Sequence, residues 1–373
     1  MRKFLLTLAV LLGFTTSALA DYTMIVPQKP GGGTSQWAQI VATEMEKYLD
    51  GEKIILKHIR GARDIPGFNK FHNELRFDDK TLMVSNGGNG ISFLNEKVDY
   101  NYKDYDSIGL MNLNIITAVF GDHDPYGDVP TSFSGGGGKI PEGIAMTLLK
   151  CGNLPTIEAY VSCFKEKVNW IKGMKGNERR LAFKRGELNV TRENPAAYKK
   201  HVESFSNAEV WFTHGLLAED GSHVDDPNYP GKQFEILFKA KYDREPSGEF
   251  YDAYKLAKSF RDGLQKALWV NVGNPNREKL ITALDKMSKD PKSIKALETK
   301  VGNYEWVIGT DGDIMRDTLM TFITEDALKT LVKWNQEALD LKSVYKEELI
   351  YQELPESFIS PQVPTFNGNL IRG

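Results

Sequence analysis

The sequence predicts an α/β fold of two lobes, each a mainly parallel sheet flanked by helices. Three observations predict it. The chain has 373 residues, more than a single compact core usually takes. Its N-terminal part alternates strand-like runs with helical patterns, which is the mark of βαβ units. Two glycine-rich loops, Pro30 to Ser35 and Ser134 to Gly138, each stand just before a helical pattern.

Tyr22 to Val26 reads as the first strand. From Gln36, the apolar residues Trp37, Ile40, Val41, Met45, Tyr48 and Leu49 recur at helical spacing. Thr34 or Ser35 is the expected cap of that helix. Gly51 ends it, and Lys53 to His58 is the next strand. Pro66 to Leu75 is predicted helical. Thr81 to Ser85 is a short apolar strand that runs into the polar loop Asn86 to Gly90, then a short helix Ile91 to Asn95. Asn114 to Phe120 is a further strand. Pro125, Gly127 and Pro130 then mark a crossover. Lobe one is expected over residues 21–120 and 268–345, and lobe two over 121–267.

In lobe two, Pro141 opens a helix to Lys150. Strands are predicted at Val168 to Ile171, Glu187 to Val190, Val210 to Thr213 and Phe234 to Phe238. Helices are predicted at Asn177 to Lys184, from Pro195 to about Ser206, and over Ser247 to Leu268. Trp269 to Val272 is the strand that crosses back. Helices at Pro275 to Ser288 and Lys292 to Thr299, a strand at Tyr304 to Ile308, and a helix at Asp313 to Asp340 broken near Thr324 complete lobe one. Residues 346–373 hold Pro355, Pro361 and Pro364 and form an irregular tail.

The N-terminus has the three parts of a secretory signal: Arg2 and Lys3, the apolar run Phe4 to Phe14, and small residues at Ala18 and Ala20. Cleavage is expected after Ala20, with a periplasmic mature protein. The net charge of −3 with scattered charges gives no support for nucleic acid or an anionic membrane as partner. Cys151 and Cys163 are the two cysteines. In an oxidising compartment such a pair is expected to be a disulfide, the alternatives being a metal pair or free thiols.

A glycine loop between strand and helix exposes backbone N–H groups at the positive end of the helix, and such a site holds anions. The first candidates are Gly32, Gly33, Thr34 and Ser35. Ser85, Asn86, Gly88 and Asn89 end another strand, the place where ligands sit in open α/β sheets, or they are a polar turn. Ser134, Gly136 and Gly137 form the second glycine loop. Arg192 is either a carboxylate clamp or a solvated surface residue.

Catalytic readings fail. Gly138-Lys139 is followed by Ile140 rather than Ser or Thr, and Phe133 stands where a phosphate loop needs its first glycine. No Gly-x-Ser-x-Gly elbow occurs, and the six His show no metal-ligand spacing. No enzyme activity, metal or cofactor is expected. The rival readings are a secreted α/β enzyme acting on an anionic substrate and a receptor that only signals.

The chain resembles the substrate-binding proteins of tripartite tricarboxylate transporters, the Bug/TctC-like receptors. Ile25-Val26-Pro27 with Pro30 to Thr34 resembles their strand and first binding loop. Arg60-Gly61-Ala62 resembles a following turn, with Arg63 where glycine is usual. Val98 to Leu110, Gly136 to Leu149, Lys175 to Asn189, Trp269 to Pro275 and Asp290-Pro291 follow in family order. Asn189 stands where the family usually has aspartate, near its cleft. Residues 207–265 are longer than the usual segment. The resemblance implies a Venus-flytrap receptor with a small carboxylate between its lobes, held by loop backbones and water. It also implies a monomer that delivers its ligand to a membrane permease.

Overall fold

A computed structural model describes residues 21–345, except 96, 175, 206, 219, 220, 301 and 303. The expected signal sequence and the tail from 346 lie outside the described residues. The strands are β1 (Tyr22–Val26), β2 (Ile54–His58), β3 (Thr81–Ser85), β4 (Tyr105–Met111), β5 (Ile116–Phe120), β6 (Thr131–Ser134) and β7 (Val168–Ile171). They continue with β8 (Val190–Glu193), β9 (Ala208–Thr213), β10 (Leu216–Leu217), β11 (His223–Val224), β12 (Ala267–Asn271) and β13 (Trp306–Ile308).

The first sheet has the order β13-β4-β12-β3-β1-β2 and the second β7-β6-β8-β5-β9. In the first, β1, β2 and β3 run parallel, and β12 inserts antiparallel between β3 and β4. In the second, β6 is parallel to β7 and β8, while β5 is antiparallel to β8 and β9. All five residues of β3 are buried, as a strand with helices on both faces requires.

Helix Gly33–Met45 forms where the periodic apolar residues begin, and it buries Trp37, Ala38, Val41, Ala42 and Met45 against the first sheet. Neither Thr34 nor Ser35 caps it. The cap is Gly32, with no side-chain bond, because both hydroxyls are engaged elsewhere. Asn86 and Asn89 begin a helix instead of a free loop: Asn86 accepts from Gly88 N at 2.7 Å, and Asn89 accepts from Asn86 N at 3.2 Å. This reciprocal capping starts helix Gly87–Asn95 four residues before the expected Ile91.

Two further expectations are corrected, and the expected break near Thr324 is present. Ile116–Phe120, placed in lobe one from sequence, belongs to the second sheet through β8 and β9. Phe234 to Phe238 is not a strand but the start of helix Phe234–Tyr242. Phe234 and Phe238 are buried while Ile236, which shares their face in a strand, is exposed. The final helix is two, Thr310–Thr321 and Glu325–Glu337, with Thr324 Oγ1 accepting from Ala327 N at 3.2 Å to cap the second.

The last of these helices leaves the first lobe. Trp334 is buried between Phe164 and Phe250, at ring distances of 4.9 and 4.8 Å. Helix Glu249–Gly263 packs on helices Gly87–Asn95, Ile140–Cys151 and Glu325–Glu337, so one apolar cluster joins both lobes. The Cys151–Cys163 disulfide ties helix Ile140–Cys151 to helix Ile157–Lys167.

Candidate ligand site between the lobes

The candidate site is built where parallel strands hand the chain to helices. β1 and β3 lead to the helices at Gly33 and Gly87, and β6 and β8 to those at Ile140 and Pro195. The four starts face each other in pairs. The short turn Gly137–Lys139 packs on helix Gly87–Asn95. Gly31 and Ser35 share the wall of an interlobe cavity of 1390 Å³ with Pro195 and Ala196. That cavity also takes His58, Asp226 and Tyr229 into its wall. Asn86, Gly88 and the second glycine loop do not line it.

In the first loop, Gly31 adopts φ +78°, which glycine tolerates, and lets the chain turn into the helix. Gly31 N donates to Ser35 Oγ at 3.2 Å, and Ser35 Oγ pairs with His58 Nε2 at 2.8 Å. Lys266 Nζ donates to Thr34 Oγ1 at 2.8 Å. No acidic residue stands in the first turn of this helix, so its positive end is uncompensated from within.

Lys266 comes from the far side of the sequence. It precedes β12, whose Ala267 pairs with Ser85, and so it lies beside Asn86 at the carboxyl end of β3. Burial pulls its ammonium down to about 8, and the nearby Asp64 charge offsets part of this. Asp64 has φ +66°, accepts from Gln28 Nε2 at 3.2 Å, and through its carbonyl from Asn89 Nδ2 at 3.1 Å. Burial raises its carboxyl, with the Gln28 hydrogen bond working against the shift.

The glycines at these starts serve packing as well as exposure of backbone. A Cβ on Gly90 would stand 2.4 Å from Phe260 O, and one on Gly135 would meet the Trp170 ring at 1.9 Å. Around Gly33, Gly136 and Gly138 nothing lies within 4 Å, so those three leave open space where a ligand is expected.

The second loop rests on a buried charge cluster. Lys139 Nζ donates to Ser134 O at 2.5 Å and to Ser134 Oγ at 3.1 Å. Burial, then Arg179 and Arg192, pull Lys139 down to about 6. Arg192 Nη2 donates to Gly138 O at 3.1 Å, and its Nε stands 3.4 Å from Glu142. Burial and the neighbouring Arg261 bring Arg192 down to about 9, so it remains a cation at neutral pH. Glu142 is fully buried, and burial alone would raise its carboxyl. Arg261 and then Arg192 outweigh that and hold it at about 2. Arg179 and Arg180 pair with Glu193, and Arg261 also pairs with Asp262. Four guanidiniums thus meet three carboxylates, which leaves an excess of positive charge behind the loop.

Two sequence candidates fall elsewhere. Ser85 Oγ donates to Leu264 O at 2.7 Å and accepts from Trp269 Nε1 at 2.9 Å, so it ties β3 to β12 inside the sheet. Asn189 sits at the opening end of β8, away from the helix starts. It accepts from Ser132 N at 2.6 Å and meets His123 at 3.2 Å. Gly32 to Ser35 follow β1, Asn86, Gly88 and Asn89 follow β3, Ser134 ends β6 with Gly136 and Gly137 after it, and Arg192 lies in β8; of these, Ser35 lines the cavity. Lys266, Lys139, Asp64, Glu142 and Arg261 were not candidates. Lys139 was the most accessible of these to sequence reasoning, since it adjoins a glycine run before a helix.

No family model and no curated protein sequence matches the chain. Solved structures do. The fold is that of the periplasmic binding proteins, two lobes with mainly parallel sheets. The chain is similar to the periplasmic binding protein BugD at 15% identity, with 86% of this chain and 98% of that one covered and a TM-score of 0.51. It is also similar to a TctC solute binding protein from Polaromonas, solved without ligand, at 15% identity, 84% and 99% coverage and a TM-score of 0.52. An R. palustris protein solved with adipate matches at 12% identity, 86% and 98% coverage and a TM-score of 0.51.

Proposed function

We propose that this protein is a periplasmic solute receptor that captures a small organic anion, a carboxylate, between its lobes. Closure of the lobes then presents the ligand to a tripartite-type membrane transporter. The observation that carries this reading is the pairing of four helix starts across the interface, two from each sheet. Three of the four helix starts carry no acidic side chain in the first turn, and the fourth holds Glu142, which Arg192 and Arg261 neutralise; with the excess guanidinium charge this favours an anion over a cation or a neutral solute. The similar R. palustris protein is solved with adipate, which supports carboxylate as the anion.

The test is a thermal-shift screen of the purified protein against mono-, di- and tricarboxylates, adipate included. A ligand that binds only the folded state raises the melting temperature by mass action. A reproducible, concentration-dependent rise with at least one carboxylate supports the receptor. No rise with any of them, together with turnover of an anionic ester or amide, would move the reading to a secreted enzyme.

A further inference from the structure

Lys266 stands at the first glycine loop with its charge unmatched. It is 8% exposed, and its one hydrogen-bond partner among the described residues is the Thr34 hydroxyl. No described carboxylate lies within ion-pair distance of it. A buried ammonium normally takes a carboxylate partner or gives up its proton. The elements packed around it offer no such partner. The first turns of the helices at Gly33 and Gly87 hold no titratable side chain. Asp64 is the group whose charge acts on Lys266, but no hydrogen bond or ion pair joins the two, and the Asp64 carboxylate accepts from Gln28 instead. Two positive features therefore converge, a helix start without a side-chain cap and a buried ammonium, with no ion-pair partner for that ammonium among the described residues.

We propose that Lys266 is the anion-pairing side chain of the first loop, so that a ligand carboxylate is met there by an ammonium as well as by backbone N–H groups. This rests on the receptor reading and adds to it. The resemblance implies backbone and water as the grip, whereas here a titratable cation takes part. Thr34 holds the ammonium in place. The anion sits against Lys266 and the N–H groups of the first turn, which have no acceptor within the helix. Because Lys266 directly precedes β12, the contact also ties the ligand to the strand by which the chain returns from the second lobe.

The proposal gives the binding a pH signature. Lys266 must be protonated to pair with an anion. Its ordinary value is lowered to about 8 in the free protein, so affinity is flat below that pH and weakens above it.

The experiment is calorimetric titration with the carboxylate that gives the largest thermal shift, using wild type, Lys266→Met and Lys266→Arg at pH 6.5 and pH 9. Wild type is expected to bind several-fold more weakly at pH 9. Lys266→Met is expected to weaken binding roughly 10- to 100-fold at pH 6.5, the scale of a charge-assisted hydrogen bond. Lys266→Arg is expected to retain binding and to lose most of the pH dependence, because guanidinium keeps its proton. Wild-type binding with an unchanged Lys266→Met affinity and pH profile overturns the Lys266 assignment and leaves the receptor standing. Absence of wild-type binding to every carboxylate overturns both. If Lys266→Met fails to fold, the pH profiles of wild type and Lys266→Arg decide alone: matching profiles overturn the assignment.

Discussion

Arg261 Nη2 stands 3.3 Å from Glu142 Oε1, and both side chains are almost wholly buried. Glu142 lies on the helix that follows the second glycine loop, and Arg261 on the helix that leads back to the first lobe. The pair therefore joins the loop to the return path of the chain. Removing one partner of a buried ion pair leaves an uncompensated charge, at a cost of about 3–5 kcal/mol. Glu142→Ala is expected to destabilise the protein on that scale in urea unfolding. A loss under about 1 kcal/mol would mean that water reaches the cluster.

The same pair contributes to the loss of stability in acid. The Glu142 carboxyl is held at about 2, below its ordinary range. A lowered carboxyl contributes stability that is complete above its unfolded value and is lost as pH falls through the folded one. Unfolding midpoints measured between pH 5 and pH 2 should fall more steeply for wild type than for Glu142→Gln. Parallel curves would refute the assignment.

Lys139 costs stability where Glu142 adds it. Its amine is drawn down to about 6, so at neutral pH the unfolded chain binds a proton that the folded protein does not. Stability gained from this group rises with pH between about 6 and the unfolded lysine value. Lys139→Met is expected to melt at least about 2 °C higher than wild type at pH 7, with the gap narrowing toward pH 10. A variant that melts lower at both pH values would show that the Ser134 hydrogen bonds outweigh the deprotonation cost.

The glycines divide into two kinds that mutation can separate. Gly90→Ala drives a Cβ to 2.4 Å from Phe260 O, and the helix pair must part. A loss of about 1–3 kcal/mol is expected, as for overpacking elsewhere. Gly33 has open space around its Cβ position. Gly33→Leu is expected to keep the wild-type melting temperature within a few degrees and to lose the carboxylate-induced shift. Retained shift in Gly33→Leu would remove the first loop from the site.

The parts of this design that were legible in the sequence are local. The βαβ start could be read because β1, the glycine loop and the helix with Trp37, Val41 and Met45 are contiguous. The Cys151–Cys163 disulfide was expected from composition and is present. What was hidden depends on distance along the chain. Lys266 reaches Thr34 across more than two hundred residues, and Glu142 meets Arg261 across the second lobe; no spacing rule brings such pairs together. Phe234 to Phe238 was misread because a five-residue apolar run has too few turns to separate a period of two from 3.6. Ile116–Phe120 was misplaced because strand character does not tell which sheet a strand at a crossover will join.

Capture of a carboxylate between the glycine loops is what the proposed receptor does. Calorimetric titration of the purified protein with the carboxylate that gives the largest thermal shift tests it most directly, with Gly33→Leu as the paired control. Wild type is expected to give a saturable one-to-one heat, and Gly33→Leu none. Equal heats from the two proteins, or no heat from wild type with any carboxylate, would contradict it.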